Sequence, residues 1–534
     1  MSKSLPSRPN LEQLKTQAKE LHKQFLAGHA DAVARVREFH PDFARSSAQS
    51  ADSPLTPSLS PSDGERVAKS RVRGKSFRLH DAQLVIAQEY GFASWPKLKE
   101  HVESVLMETG EPLELLKEAF HADDARMLRK LLERHPEFKA KINEPIGPFD
   151  SPAITNVSSR EMLDVLLEAG ADINAKSRWW AGGFGLLHGA KPELAAYAIQ
   201  RGAVVDVHAA ARLGMINKLR ELIAAAPTLV HSRGGDGQTP LHFASTIEIA
   251  KFLLEHGADI DARDVDHEST PAQWMLRERP EIARCLIQRG CKTDLLMAAA
   301  VGDADLVRQH LDADPECINM RVSDEFFPKR NPHSGGTIYQ WQLGWHVSAH
   351  DIARQFGHDA VLRLLMERSP VEVRLIAACW SGDDAAVKPL LSTHPGLAGK
   401  LSTEDRRQVA HAARNNNVAA VRLMLAAGLP VDALGQHRAT PLHWASFHGN
   451  ADMAREILRH NPPLEVTDAD FKGTPLGWAI HGSVHGWYCE TGDYAGTVEA
   501  LLNAGAKVPP KANDGSEAVR AVLRRHGVGD SDPG

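Results

Sequence analysis

From about Asn10 to Phe43 the apolar residues Leu11, Leu14, Ala18, Leu21 and Phe25 recur at three and four positions, the spacing of one face of a helix, and two short helices fit there. Leu79 to Met107 returns to the same spacing. Gly91-Phe-Ala-Ser-Trp95-Pro marks a turn within it, and Ser94 is placed to cap the helix that follows. Each piece has one apolar face, so the two are expected to pack together. Between them, residues 44–75 include Ser-Pro-Leu-Thr-Pro-Ser-Leu-Ser-Pro-Ser-Asp-Gly-Glu-Arg, low in complexity and with too few apolar residues for a core, which predicts a disordered insertion. From Glu111 to Pro509 helical segments come in pairs. Within one second member Ile249 and Leu253, and likewise Ala250 and Leu254, lie one turn apart, so each pair offers apolar faces that only its neighbours can cover.

The pairs repeat at a fixed interval. Thr239-Pro-Leu-His-Phe-Ala244 leads into Ile249 to Asp261, and Ser269-Thr-Pro-Ala-Gln-Trp274 restarts the cycle. Thr239 to Thr270 is 31 residues, Thr440 to Thr474 is 34, Gly170 to Gly202 is 32 and Gly257 to Gly290 is 33. Thr as N-cap and Pro at the first helical position start a short helix, and Gly257 ends the second one in the left-handed conformation. With Thr239-Pro-Leu-His242, Thr440-Pro-Leu-His443 and Thr474-Pro-Leu476 as its strongest copies, this region resembles the ankyrin family, whose period is about 33. Ala299 to Asp303, Ala377 to Asp383 and Ala412 to Asn417 look like first helices without the Thr-Pro start. The predicted fold is all-α, an ankyrin-repeat solenoid of roughly 12 helix-turn-helix repeats with an N-terminal helical module. Its parts are the module (1–43 and 76–110), the insertion (44–75), the array (111–509), and a C-terminal capping helix and tail (510–534), the helix running from Ser516 to His526. The chain as a whole resembles bacterial ankyrin-repeat proteins, in which a small helical module often precedes the array. The insertion resembles the translation products of dispersed genomic repeats found in some bacterial genomes, which implies a passenger whose deletion leaves the thermal melt unchanged.

Composition narrows the class of function. At 534 residues, 43% hydrophobic and 24% charged, the balance is that of an ordinary globular protein. No apolar run approaches a membrane span, and the polar start lacks the apolar core of a secretory signal, so a cytoplasmic location is expected. Cys285, Cys291, Cys317, Cys379 and Cys489 form no CxxC pair and read as reduced thiols. A net charge of -6 favours neither nucleic acid nor an anionic membrane as partner. No phosphate loop, dinucleotide fingerprint or Ser-His-Asp order stands in the sequence, and no cofactor is expected.

What is particular to this chain lies where the repeats depart from their pattern. The turn Ser177-Arg-Trp-Trp-Ala-Gly-Gly183 puts Trp179 and Trp180 where small polar residues are usual; they serve either as recognition anchors or as local packing. The stretch Arg321 to His346 is too long for a repeat turn, and its aromatic density argues for order. Asp324, Glu325, Lys329, Arg330, Tyr339, Trp341, Trp345 and His346 could line a pocket with the turn that carries Asp266, His267 and Glu268, or the loop could be a hairpin with solvated charges. In the third departure, Trp478 to Tyr494, His481, His485 and Cys489 are spaced by four and on one helix could hold zinc, with Glu490 or Asp493 beside them. Gly482 stands where a zinc protease needs Glu, and Gly482 and Gly486 weaken the helix, so a Gly-rich loop with Trp487 packed over the array end is preferred. Phe243, Trp274, Trp444 and Trp478 read as a core ladder, and His242 and His443 as structural. The expected function is a binding scaffold for a protein or peptide, with the aromatic and charged loops on a concave face. The alternative is an enzyme in which Asp266, Glu268, Asp324, Glu325 or Asp493 act as acid and base on a carbohydrate or other small polar substrate.

Overall fold

The computed structural model describes residues 3–6, 9, 11–44, 71, 72, 75–109, 111–508 and 514–529. Their regular elements are almost all helices; among the described residues the strands are two-residue segments, Arg71–Val72 paired antiparallel with Lys75–Ser76. Most of the predicted insertion, 45–70 with 73 and 74, lies outside the described residues. The chain divides into two compact units, 1–179 with 184–204, and 180–183 with 205–534.

In the first unit the helices Leu11–Leu26 and Leu79–Glu89 pack face to face, joined by Ala30–Phe39, Pro41–Ala44 and Trp95–Thr109. Leu14, Leu21 and Phe25 from one side meet Val85, Ile86 and Leu98 from the other. Glu89, 1% exposed, is held by Arg35 Nε at 2.6 Å and Lys3 Nζ at 2.6 Å. Burial pushes its carboxyl pKa up, but the two cations outweigh burial and leave it below the ordinary value. Three helix pairs follow, Pro112–His121 with Ala125–Arg134, Ala153–Asn156 with Arg160–Glu168, and Leu186–Gly189 with Pro192–Gln200.

The second unit continues with nine pairs, from Val207–Arg212 with Ile216–Ala225 to Pro475–His485 with Tyr494–Asn503, and closes on Glu517–Arg525, whose Val519, Val522 and Leu523 are buried. Among the described residues the two units hold twelve pairs, in line with the roughly 12 that the repeat length predicts. The motif histidines stitch consecutive turns. His443 Nδ1 accepts from Thr440 N at 3.1 Å while Nε2 meets the Gly473 carbonyl at 3.1 Å, and His242 does the same between Thr239 and Ser269. Burial keeps both rings neutral, with the His242 pKa lowered to about 3.

The first helices without a Thr-Pro start begin earlier than their apolar residues suggested. They are Leu295–Val301, Val371–Trp380 and Thr403–Arg414. Asp303, Asp383 and Asn417 instead cap the second helices, accepting from Leu306 N, Ala386 N and Ala420 N.

The stretch 321–346 is built into the second unit. Its two ends pair, Val322 N with the Val347 carbonyl at 3.1 Å and His346 N with the Val322 carbonyl at 2.8 Å. Its body docks on the turn of an earlier repeat: Ser334 Oγ donates to Asp266 O at 2.5 Å, Gly335 N to the same carbonyl at 2.9 Å, and Ile338 N to Ser269 Oγ at 3.0 Å. Tyr339, fully buried, donates to Asp294 Oδ2 at 2.8 Å and meets Phe327 edge-on at 5.1 Å.

Candidate functional site

Three cavities lie along the turns and first helices of the second unit. The first, of about 150 Å³, lies between the docked loop and the turn carrying His267 and Glu268. Lys329 and Arg330 line it, with Phe326 and Phe327 as its apolar wall. Glu268 supports the loop: its oxygens accept from Arg330 N at 3.0 Å and Asn331 N at 2.8 Å. Asp266 likewise accepts from Gly335 N at 3.1 Å, and His267 Nδ1 meets Gly336 O at 2.9 Å. Asp236, Asp266 and His267 could each offer a ligand atom within 4.8 Å of the others, but loop backbone already occupies two of them.

The second cavity, of about 260 Å³, has Asp324, Glu325, Trp345 and His346 on the loop side. The helix Thr403–Arg414 supplies Glu404, Arg407 and His411 to the other. The rings of His346 and His411 stack with centroids 3.2 Å apart, and His346 takes a left-handed φ of 58° to reach this position. Glu404 Oε1 lies 3.8 Å from His346 Nδ1 and 3.7 Å from His411 Nε2. Nδ1 of both histidines is buried without a hydrogen-bond partner. Burial, reinforced by Arg321 and Arg414, keeps both imidazoles neutral, His411 down to about 3 and His346 further, while burial raises the Glu404 carboxyl.

The third cavity is the largest, about 480 Å³, and mostly apolar. Trp444, Phe447 and Trp478 project from two successive first helices, Phe471 comes from the turn between them, and Trp487 lies beyond the second helix. Trp444 and Trp478 are buried as a core ladder requires, yet one side of each forms the cavity wall; Phe471 is 70% and Trp487 59% exposed. Arg414 joins this cavity to the second. Its guanidinium is 5.8 Å from the Trp345 ring and 5.5 Å from those of Trp444 and Trp487, and its Nε donates to Gln436 Oε1 at 2.6 Å. No carboxylate among the described residues pairs with it. Burial lowers its pKa to about 10, which leaves it charged at neutral pH.

The remaining sequence candidates are dispersed. Trp179 leans edge-on against Phe149 at 5.0 Å within the first unit. Trp180 lies 6.2 Å from His333 of the loop. The Gly182 that follows admits a close backbone approach, since a Cβ there would stand 2.1 Å from Gly234 O. Trp341 is 71% exposed, and Trp345 is buried with its carbonyl fixed by Asn415 Nδ2 at 2.7 Å. His481 and His485 face each other at 4.7 Å, but the helix ends at His485 where Gly486 turns extended, so exposed Cys489 does not continue their face. Asp493 caps the next helix through Gly496 N at 2.8 Å. The five carboxylates considered as acid and base thus occupy three separate places. Glu404, His411 and Arg414 were absent from the sequence candidates. The polar stripe Glu404, Gln408, His411 on one face of a first helix was the available signal.

A family model described as ankyrin repeats (3 copies) matches residues 207–297, 375–468 and 409–512. Ankyrin repeats are thus found in 207–297 and 375–512. Among similar proteins, the E3 ubiquitin-protein ligase XB3 of Oryza sativa subsp. japonica is 33% identical over 93 residues, 17% of this chain and 21% of that protein. The serine/threonine-protein kinase VIK of Arabidopsis thaliana is 51% identical over 49 residues, 9% of this chain and 11% of that protein. The palmitoyltransferase AKR1 of Kluyveromyces lactis is 31% identical over 107 residues, 20% of this chain and 14% of that protein. The chain therefore spans about a fifth or less of these relatives' lengths. In the ankyrin array, Glu404, His411 and Arg414 fall inside the matched segments, whereas the loop with His346 falls between them. Among the described residues no helix is long and apolar enough to cross a membrane.

Proposed function

We propose that the array is a binding scaffold that accepts a segment of a protein partner along the third cavity, and that the segment carries an acidic group next to an apolar side chain. The observation behind this reading is Arg414, a desolvated cation among Trp345, Trp444 and Trp487 with no carboxylate of its own, at the edge of an apolar cavity of about 480 Å³. Aromatic and Arg side chains are the residue types that dominate protein-binding hot spots, and a partner carboxylate would supply the charge the site lacks. Ankyrin repeats generally serve protein interaction, and the reading takes only that from the relatives, whose named activities belong to proteins matched over short stretches. The unpaired cysteines, four of them buried, support a reducing compartment such as the cytoplasm.

The test is selection of displayed peptides on the intact protein, followed by fluorescence titration. Selected peptides are expected to pair Asp, Glu or a terminal carboxylate with an aromatic or aliphatic neighbour, and Trp487→Ala and Arg414→Gln each to weaken them at least about tenfold, the equivalent of about 1.4 kcal/mol. Peptides without such a pattern, or bound equally well by both variants, refute the reading.

A further inference from the structure

The second cavity holds a group of side chains that peptide recognition does not use. His346 arrives from the inserted loop, while Glu404 and His411 sit seven residues apart on one face of the helix Thr403–Arg414. One ligand atom from each lies within 4.8 Å of the other two. Both histidines are more than nine-tenths buried, and each keeps a ring nitrogen without a hydrogen-bond partner. Buried polar groups in folded proteins are nearly always satisfied, so the orphaned His346 Nδ1, which faces Glu404, and the His411 ring beside it, whose Nε2 faces the same carboxylate while its Nδ1 has no partner, need an account.

We propose that His346, His411 and Glu404 form a binding site for one divalent transition-metal ion, with open coordination positions facing the cavity. An ion about 2.0–2.2 Å from two nitrogens and one oxygen needs its donors about 3.0–3.5 Å apart. The two nitrogen-to-oxygen separations are 3.8 and 3.7 Å, and binding would turn the two stacked rings apart so that both in-plane lone pairs meet one ion. Two imidazoles and one carboxylate select zinc, iron or cobalt over calcium and magnesium, which take oxygen ligands. The charge balance admits a cation. Arg321 and Arg407 lie against Asp405 and Glu404, and the cavity carboxylates Asp324 and Glu325 add further negative charge. With three protein ligands on one side and about 260 Å³ of space on the other, water or an anionic ligand completes the shell. Ligands from an insertion and from a regular repeat also make the ion a tie between the two.

Full-length protein freed of metal by a chelator is titrated with Co²⁺, whose visible absorption reports nitrogen and carboxylate ligation, and with Zn²⁺ in competition. One equivalent of Co²⁺ is expected to bind, and His411→Ala and Glu404→Gln each to weaken it at least about 100-fold, since even an outer-shell change typically costs 10–100-fold. His481→Ala removes a close histidine pair outside this cavity and is expected to change nothing. Glu404→Gln alters one atom of a half-buried side chain, so an unchanged circular dichroism spectrum and melting midpoint keep that variant decisive if His411→Ala fails to fold. Absence of the Co²⁺ band at excess metal, its retention in folded Glu404→Gln, or its loss in His481→Ala overturns the proposal.

Discussion

Acidification from pH 7.5 to 5.5 should destabilise the array through histidines that the fold buries neutral. His242, His350 and His448 are 2%, 0% and 2% exposed. Burial is the main cause of their depressed pKa values, about 3, 4 and 4, and the nearby guanidinium groups of Arg279, Arg321 and Arg414 push the same way. The unfolded chain takes up a proton on each near pH 6.5 and the folded chain does not. The stability they contribute is therefore complete above about 6.5 and is lost as the pH falls toward the folded values. At pH 5.5 each costs about RT ln 11, or about 1.4 kcal/mol, and the three together about 4 kcal/mol. Asp264 works in the opposite sense. Burial raises its pKa to about 6 against the bonds from Ser269 N and His267 N, which returns about 1 kcal/mol over the same interval and leaves a loss of about 3 kcal/mol from these four groups. Urea unfolding followed by circular dichroism at half-unit steps of pH reads this directly. The slope below pH 6.5 should flatten by about one proton in His350→Gln, whose native ring meets Ser369 Oγ at 2.8 Å. A flat profile between pH 6.5 and 5.5, or an unchanged slope in the variant, would show that these rings are not held neutral.

Tyr339→Ala empties a fully buried site and should cost about 3–5 kcal/mol, and Tyr339→Phe, which strips the bond to Asp294, about 1.5–3 kcal/mol. Hydrogen exchange across 321–346 should rise most in the alanine variant; unchanged melting and exchange would mean the loop is not packed as described. Glu89→Gln should cost about 1.5–3 kcal/mol near neutrality, toward the lower end because Lys3 and Arg35 are partly solvated. The wild-type advantage is full above the ordinary carboxylate value and declines as the pH falls through the lower folded value, so denaturation midpoints of the two proteins should converge in acid.

The repeat register was legible because each Thr-Pro-Leu-His element combines a cap, a helix start and a stitching histidine, three local devices that need no distant partner. Val371–Trp380 and Thr403–Arg414 lack that element, and their starts were misplaced because the alanines from which they were read, Ala377 and Ala412, stand toward the C-terminal ends of these helices. The loop's role was readable as far as order goes, since Tyr339, Phe327 and Trp345 are the residues it uses to pack. The partners of His346 were not, because spacing says nothing about which first helix faces an insertion more than fifty residues earlier. Arg414 was missed for a related reason. A lone arginine at a helix end reads as a dipole-matching surface charge, and only the packing of Trp345, Trp444 and Trp487 around it shows otherwise.

The docked loop also bears on how the chain reaches its native state. Hydrogen bonds between neighbouring turns close intervals of about thirty residues, as between Arg233 and Arg263 or His443 and Gly473. The clasp from Ser334 and Gly335 to Asp266 closes 68 and 69. Repeats can assemble from any starting point by adding neighbours, but the clasp needs two separated repeats in place before it gains anything. Refolding should thus show a late phase in which the loop settles, and removal of the loop should abolish that phase while the earlier growth of the array keeps its rate.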